Sequence, residues 1–225
     1  MSGERIRVLV ADDHTIVRRG LVSLLALGEG IDVVGEAADG RTAVELALEL
    51  EPDVVLMDVS MPELNGLEAA SRIKKKSPEI KVLILSAHDN EEYVLQVVRS
   101  GANGYLLKNT SSDDLYAAIR SVHRGHAYFS PSVSKIIADE LLRGPRTDTA
   151  EADEGPALSR LTSREREIIQ LIAEGRTHQQ IGELLHISPR TVDTHCNNLM
   201  KKLDIHDSAA LVAYAIKNGI VILPR

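Results

Sequence analysis

Five side chains able to handle a charged group stand where strand-like runs of this 225-residue chain end. Asp12 and Asp13 follow the run 6–11, Asp58 follows 54–57, Ser86 follows 81–85 and Lys108 follows 104–107. If those runs are parallel strands of one sheet, all five residues meet along one edge. Three carboxylates brought together repel one another unless a cation sits among them. Read as an oxygen donor set, they favour Mg²⁺, which binds one or two carboxylates and keeps several waters. Asp58 then has the character of a carboxylate nucleophile that accepts a phosphoryl group as an acyl phosphate. Lys108 and the metal would balance charge on the phosphoryl oxygens, and the Ser86 hydroxyl could turn toward them. Each residue also has a plainer role. Asp13 can cap a helix, Ser86 can start one, and Lys108 can be a solvated charge. The joint placement carries the chemical reading.

The elements that must position these residues follow from the apolar pattern. Strand-like runs at 6–11, 31–37, 54–57, 81–85 and 104–107 alternate with amphipathic stretches at 15–27, 41–50, up to 76, 91–99 and 113–124. Near-continuous apolar strands separated by helices predict an α/β doubly wound, five-stranded parallel sheet covered on both faces. Such sheets bind ligands at the carboxyl ends of their strands. Ser130-Pro131 opens a further helix to about residue 142. Residues 143–156 then lack apolar periodicity and carry two Gly-Pro breakers and an acidic run, which reads as a mobile linker. The expected division is 5–125, 126–157 and 158–223, the last a small all-α four-helix domain.

In that last part, Thr162 and Glu165 have capping-box spacing before Ile168, Ile169, Leu171 and Ile172. A helix over 178–185, a turn at His186-Ile187, and a third helix opened by Ser188-Pro189 complete a helix-turn-helix pattern. On the third helix, Val192, Cys196, Leu199 and Leu203 form one apolar stripe at spacings of four, three and four. The opposite face presents Arg190, Asp193, Thr194, Asn197 and Lys201, side chains suited to base edges or phosphates in a major groove. Asn197 could pair with adenine and Asp193 could accept from cytosine. His195 and Lys202 flank that face and suit backbone contacts. Cys196 reads as a small core residue.

The net charge is −7, yet residues 159–225 hold nine Lys/Arg against seven Asp/Glu, leaving the acidic excess to the first 158 residues. A domain so weakly basic needs a second copy to hold DNA, because phosphate neutralisation dominates affinity. The single cysteine excludes an internal disulfide and a cysteine zinc site. Apolar runs fall far short of the ~20 residues that span a bilayer. The opening Met-Ser-Gly-Glu-Arg carries no signal peptide, so a cytoplasmic protein is expected.

Ala11-Asp-Asp13, Met57-Asp-Val-Ser-Met-Pro-Glu-Leu-Asn-Gly66, Leu85-Ser-Ala87 and Gly104-Tyr-Leu-Leu-Lys108 resemble the receiver domain of response regulators. The resemblance implies that Asp58 is the phosphoacceptor and that Asp13, Asp58 and the Ser60 carbonyl ligate Mg²⁺, with Asp12 acting through water. It implies that Lys108 pairs with the phosphate, that Ser86 and Tyr105 form a switch pair, and that Ser60 and His88 tune phosphoryl loss. Asn109 stands where an acidic residue or proline is common. Leu161-Thr-Ser-Arg-Glu-Arg-Glu167, Ile187-Ser-Pro-Arg-Thr-Val192, His195 and Lys201-Lys-Leu203 resemble the LuxR-type helix-turn-helix. His178-Gln179-Gln180 departs from that family's Asn-Lys-Glu-like stretch, and Gly182 replaces its usual alanine. Together the halves resemble a NarL/FixJ-type response regulator. That implies a sensor histidine kinase as phosphodonor, double-stranded DNA as target, a homodimer, and no dedicated enzymatic activity. An alternative is a phosphorylation-independent DNA-binding regulator whose receiver serves only for dimerisation.

Overall fold

The computed structural model of the chain describes residues 5–87, 91–142, 161–218 and 220–221. His88 and the expected linker at 143–156 lie outside the described residues, as do the ends of the expected last domain. The chain divides into two compact units at residues 147 and 148.

The first unit alternates strands β1 (Ile6–Ala11), β2 (Ile31–Ala37), β3 (Val54–Asp58), β4 (Lys81–Ser86), β5 (Gly104–Leu107) and β6 (Tyr128–Phe129) with helices α1 (Thr15–Leu27), α2 (Gly40–Leu50), α3 (Gly66–Lys76), α4 (Glu91–Arg99), α5 (Ser112–His123) and α6 (Pro131–Leu142). All strand pairs are parallel, in the order β2-β1-β3-β4-β5-β6. Period-two alternation divides the strand side chains between two cores. Leu9, Val55, Met57, Val82, Ile84 and Tyr105 pack with Ala43, Ala69, Ile73, Val94 and Val133 on one face. Val8, Val10, Leu56, Leu83, Leu85 and Leu106 pack with Leu25, Leu115, Ile119 and Val122 on the other. Burial on both faces is why β3 is an unbroken apolar run before its acid.

The sheet has six strands where five were expected. β6 is only two residues long, and so short a segment has no legible alternation. Its register, Gly104 opposite Tyr128 and Tyr105 opposite Phe129, is anchored by the Tyr128 N–H donating to the Asn103 carbonyl at 3.1 Å. Gly104 permits that approach, because a Cβ there would lie 2.7 Å from the Tyr128 carbonyl oxygen. Phe129, Ile136 and Ile137 pack against the same apolar cluster as Tyr105.

The second unit consists of α7 (Ser163–Ala173), α8 (His178–Leu185), α9 (Pro189–Leu203) and α10 (Ser208–Lys217). Thr162 and Glu165 form the expected capping box on α7, and Thr177 with Gln180 forms a second on α8. Ser188 caps α9 and Asp207 caps α10. Ile168, Ile169, Ile181, Val192, Cys196, Leu199 and Leu211 make one core. The turn between α8 and α9 is tight: the Ile187 N–H donates to the Gly182 carbonyl at 3.0 Å. A Cβ on Gly182 would meet the Ile187 carbonyl oxygen at 2.7 Å, a backbone atom that cannot swing aside. Gly182→Ala should therefore destabilise this unit. Overpacking costs ~1–3 kcal/mol, set against ~1 kcal/mol gained in helix propensity. Urea unfolding followed by helical circular dichroism measures the balance, and a net gain in stability would show that the turn relaxes freely.

Candidate phosphoryl pocket and nucleic-acid interface

Strand register brings the predicted chemical residues together. Met57 lies opposite Ala11 and Asp58 opposite Leu85, while Ser86 lies opposite Leu107. The Lys108 N–H donates to the Ser86 carbonyl at 2.7 Å, which pins the end of β5 to that of β4. The Lys108 ammonium sits 2.8 Å from Asp12 Oδ2 and 2.9 Å from Asp58 Oδ2. Asp12 and Asp58 are buried and Asp13 is half-buried. Ser86 is buried at the same edge, and Ser60 is half-buried on the loop after β3. Tyr105 is wholly buried, one layer below the edge.

Burial raises the Asp58 carboxyl from 3.8 to about 6; Lys108 opposes that rise, and Asp12 and Asp13 reinforce it. Burial alone would lower the Lys108 ammonium, but Asp58 and Asp12 outweigh it and hold the group above its ordinary value. A proton on Asp58 is thus favoured more than for a solvated carboxylate, and a cation at the edge would oppose that.

The donor set fits a divalent cation. Ligand atoms of Asp12, Asp13, His14 and Asp58 lie within 4.8 Å of one another. Among the described residues, Asp13 Oδ1 and Asp58 Oδ2 are buried without an aligned hydrogen bond, which leaves lone pairs directed into the cluster. His14 belongs to this cluster, although the site was expected to contain oxygen donors alone. Its ring Nδ1 lies 2.7 Å from Asp13 Oδ1, and its backbone N–H donates to Asp12 Oδ1 at 2.8 Å. The only sequence signal was its place directly after the acidic pair.

On α9 the expected apolar stripe is inside, with Val192, Cys196 and Leu199 buried and Leu203 half-buried. Arg190, Asp193, Thr194, Asn197, Lys201 and Lys202 are exposed, and His195 is half-buried. The structure gives three of these additional partners. The Thr194 hydroxyl donates to the Arg190 carbonyl at 3.0 Å. Lys202 pairs with Glu165 at 2.9 Å, tying α9 to the capping box of α7. Its ammonium and two Thr162 hydrogen bonds outweigh burial and hold the Glu165 carboxyl below its ordinary range. Asp193 accepts from the His178 ring, a pairing between α8 and α9 that residue spacing alone does not reveal. Burial, reinforced by Asp193, pushes the Cys196 thiol up to about 11, in keeping with a core residue.

Residues 8–120 match the family described as "Response regulator receiver domain", and residues 159–215 match "Bacterial regulatory proteins, luxR family". The chain is 39% identical to the transcriptional regulatory protein DegU of Brevibacillus brevis, over 98% of this chain and 97% of that protein. It is similar to the crystal structure of the response regulator ChrA, part of a heme-sensing two-component system. Sequence identity there is 30%, with a TM-score of 0.52 and coverage of 97% of this chain and 100% of that one. It is also similar to RcsB from Salmonella enterica serovar Typhimurium bound to promoter rprA in the presence of the phosphomimetic BeF₃⁻. That pair shares 26% identity and a TM-score of 0.60, over 93% of this chain and 98% of that one. Among the described residues, no helix is long and apolar enough to cross a membrane. An acidic strand edge on a parallel sheet, followed in the same chain by a helix-turn-helix, thus places the protein in the two-component response regulators, with a receiver and a LuxR-type DNA-binding domain.

Proposed function

We propose that Asp58 accepts a phosphoryl group from the phosphohistidine of a sensor kinase and that this event controls DNA binding by a homodimer. In this reading, residues 5–125 are the receiver, 158–223 bind DNA, and 126–157 lie between them. The observation that carries the proposal is the convergence of Asp12, Asp58 and Lys108 at 2.8 and 2.9 Å on one strand edge. A carboxylate oxygen of Asp58 forms the new P–O bond while the P–N bond to the donor histidine breaks, its electron pair remaining on the imidazole nitrogen. Lys108 then exchanges part of its pairing with Asp58 for the phosphoryl oxygens. Asp13, Asp58 and the Ser60 backbone carbonyl would hold Mg²⁺, with Asp12 acting through water. When bound, the ion neutralises charge that builds on the transferred group. Ser86 offers its hydroxyl to the new phosphoryl, and Tyr105 responds from beneath. The second unit presents Arg190, Asp193, Thr194, Asn197 and Lys201 to the major groove, with His195 and Lys202 beside the backbone.

Incubation of the full chain with Mg²⁺ and acetyl phosphate, followed by intact mass measurement, tests the phosphoacceptor. One phosphoryl adduct is expected on the native chain and none on Asp58→Asn, with circular dichroism unchanged. An adduct on the variant would assign the chemistry elsewhere. A native chain that takes none and still binds specific DNA would favour the phosphorylation-independent regulator.

A further inference from the structure

We infer that His178 is a specificity-positioning residue of the DNA-binding unit: it holds Asp193 so that the free side of that carboxylate reads the amino edge of a cytosine. The inference rests on the proposed placement of α9 in the major groove.

Asp193 is exposed on the face of α9 that would approach a polyanion, and an unpartnered carboxylate there would repel phosphates and sample several rotamers. In the structure it is neither unpartnered nor loose. His178 is the first residue of α8, placed by the Thr177 cap, and its ring Nδ1 pairs with Asp193 Oδ1. The other ring nitrogen, Nε2, lies 3.8 Å from the sulfur of Cys196, one turn further along α9 and buried. The ring is therefore held from both sides, and both partners lie on α9, which packs against α8.

The protonation states give this contact a direction. The Cys196 thiol keeps its proton, because burial and the neighbouring Asp193 push it up to about 11. A carboxylate only accepts, so the ring Nδ1–H donates to Asp193 Oδ1, while Nε2 stands beside the sulfur. The order Cys–His–Asp resembles that of a nucleophilic triad, but a buried, protonated thiol does not attack. The arrangement instead fixes a carboxylate.

Among the described residues, Asp193 Oδ2 has no protein partner. A carboxylate accepts and cannot donate. In the major groove, cytosine presents its N4 amino group, guanine presents the acceptors O6 and N7, thymine presents the acceptor O4, and adenine places N7 beside its amino group. A fixed lone pair thus favours cytosine and is repelled most strongly by guanine. Partial neutralisation by the His178 N–H lowers the general repulsion from phosphates, while the fixed geometry retains the discrimination.

The test selects binding sites from randomised duplexes with the full chain, treated with acetyl phosphate and Mg²⁺. The native chain is compared with His178→Ala, Asp193→Ala, the double variant and His178→Asn, whose amide can replace the Nδ1–H. Asp193→Ala should lower cytosine preference at one position by about fivefold or more. His178→Ala should lower it at the same position, the double variant should add nothing, and His178→Asn should restore part of it. Circular dichroism identifies a variant that fails to fold, in which case His178→Asn carries the comparison. If His178→Ala keeps the preference that Asp193→Ala loses, or weakens all sites equally, the positioning role is overturned while the groove-facing helix stands. If Asp193→Ala leaves every position unchanged, Asp193 reads no base and the inference is overturned; a native chain that selects no site at all overturns the placement of α9 itself.

Discussion

Asp58→Asn is expected to make the metal-free receiver more stable at neutral pH, even though it removes the proposed phosphoacceptor. Asp58 is buried, and its carboxyl is raised from 3.8 to about 6. Between those values the folded chain holds a proton that the unfolded chain has released, so stability falls as pH rises through that window. Above it the carboxylate is ionised at a standing cost of about 3 kcal/mol. Asparagine has nearly the same shape and no charge. The stability difference between variant and native chain should be small below about pH 4, widen to about pH 6 and then level off. At neutral pH it corresponds to several degrees in the receiver's thermal midpoint. Denaturation in a chelator across that range measures it. Equal stability of the two chains at neutral pH would mean that Lys108 and solvent fully compensate the ionised acid. The site is thus held under electrostatic strain, which a bound cation or a phosphoryl–lysine pair would relieve.

The second large effect belongs to a residue with no side chain. A Cβ on Gly66 would lie 1.9 Å from the Asp58 carbonyl oxygen and 2.9 Å from the carbonyl carbon. Gly66 opens α3 behind the Asn65 cap, and its N–H donates to the Val59 carbonyl at 2.8 Å. The loop from 59 to 65 therefore folds back until the first turn of α3 rests on the backbone of Asp58. Gly66→Ala must move either α3 or β3. Overpacking of a settled core costs ~1–3 kcal/mol, and a clash with backbone at this distance should exceed that range. The loss is a large share of the ~5–15 kcal/mol that holds a domain folded. Gly20→Ala provides the contrast, since nothing lies within 4 Å of a Cβ there. It sits inside α1 and should stabilise by ~1 kcal/mol through helix propensity. Thermal unfolding of both variants, with phosphorylation by acetyl phosphate, tests the pair. A well-folded, phosphorylatable Gly66→Ala would show that the loop can lift away from Asp58.

What could be read in advance follows from range. β1, β3 and β4 are legible because a strand buried on both faces is an apolar run, and the acid or hydroxyl that ends it is conspicuous. Their convergence needed only the rule that parallel strands end on the same side. β6 escaped because two residues carry no period and its pairing depends on Gly104, twenty-four residues upstream of Tyr128. His14 was visible but assigned no role, since adjacency in the chain does not show that a ring folds back onto its neighbour. Lys202 was assigned to the DNA backbone from its angle on α9, which cannot reveal that Glu165 on α7 lies beside it. His178 and Asp193 are fifteen residues apart on different helices, and only the crossing of α8 and α9 brings them together.

The six-strand order also bears on self-association. A long bare strand at a sheet margin invites another chain to continue the ladder. On one side the two-residue β6 covers part of β5 and ends almost at once, so there is little backbone to copy. On the other, β2 carries exposed Asp32 and Glu36, and its pairing with β1 is irregular between Val8 and Leu9. Two copies aligned along β2 would set acid against acid on a twisted template. Both margins of the sheet thus discourage continuation across molecules, and two receivers that associate are left to do so through helices and loops, surfaces that can part again.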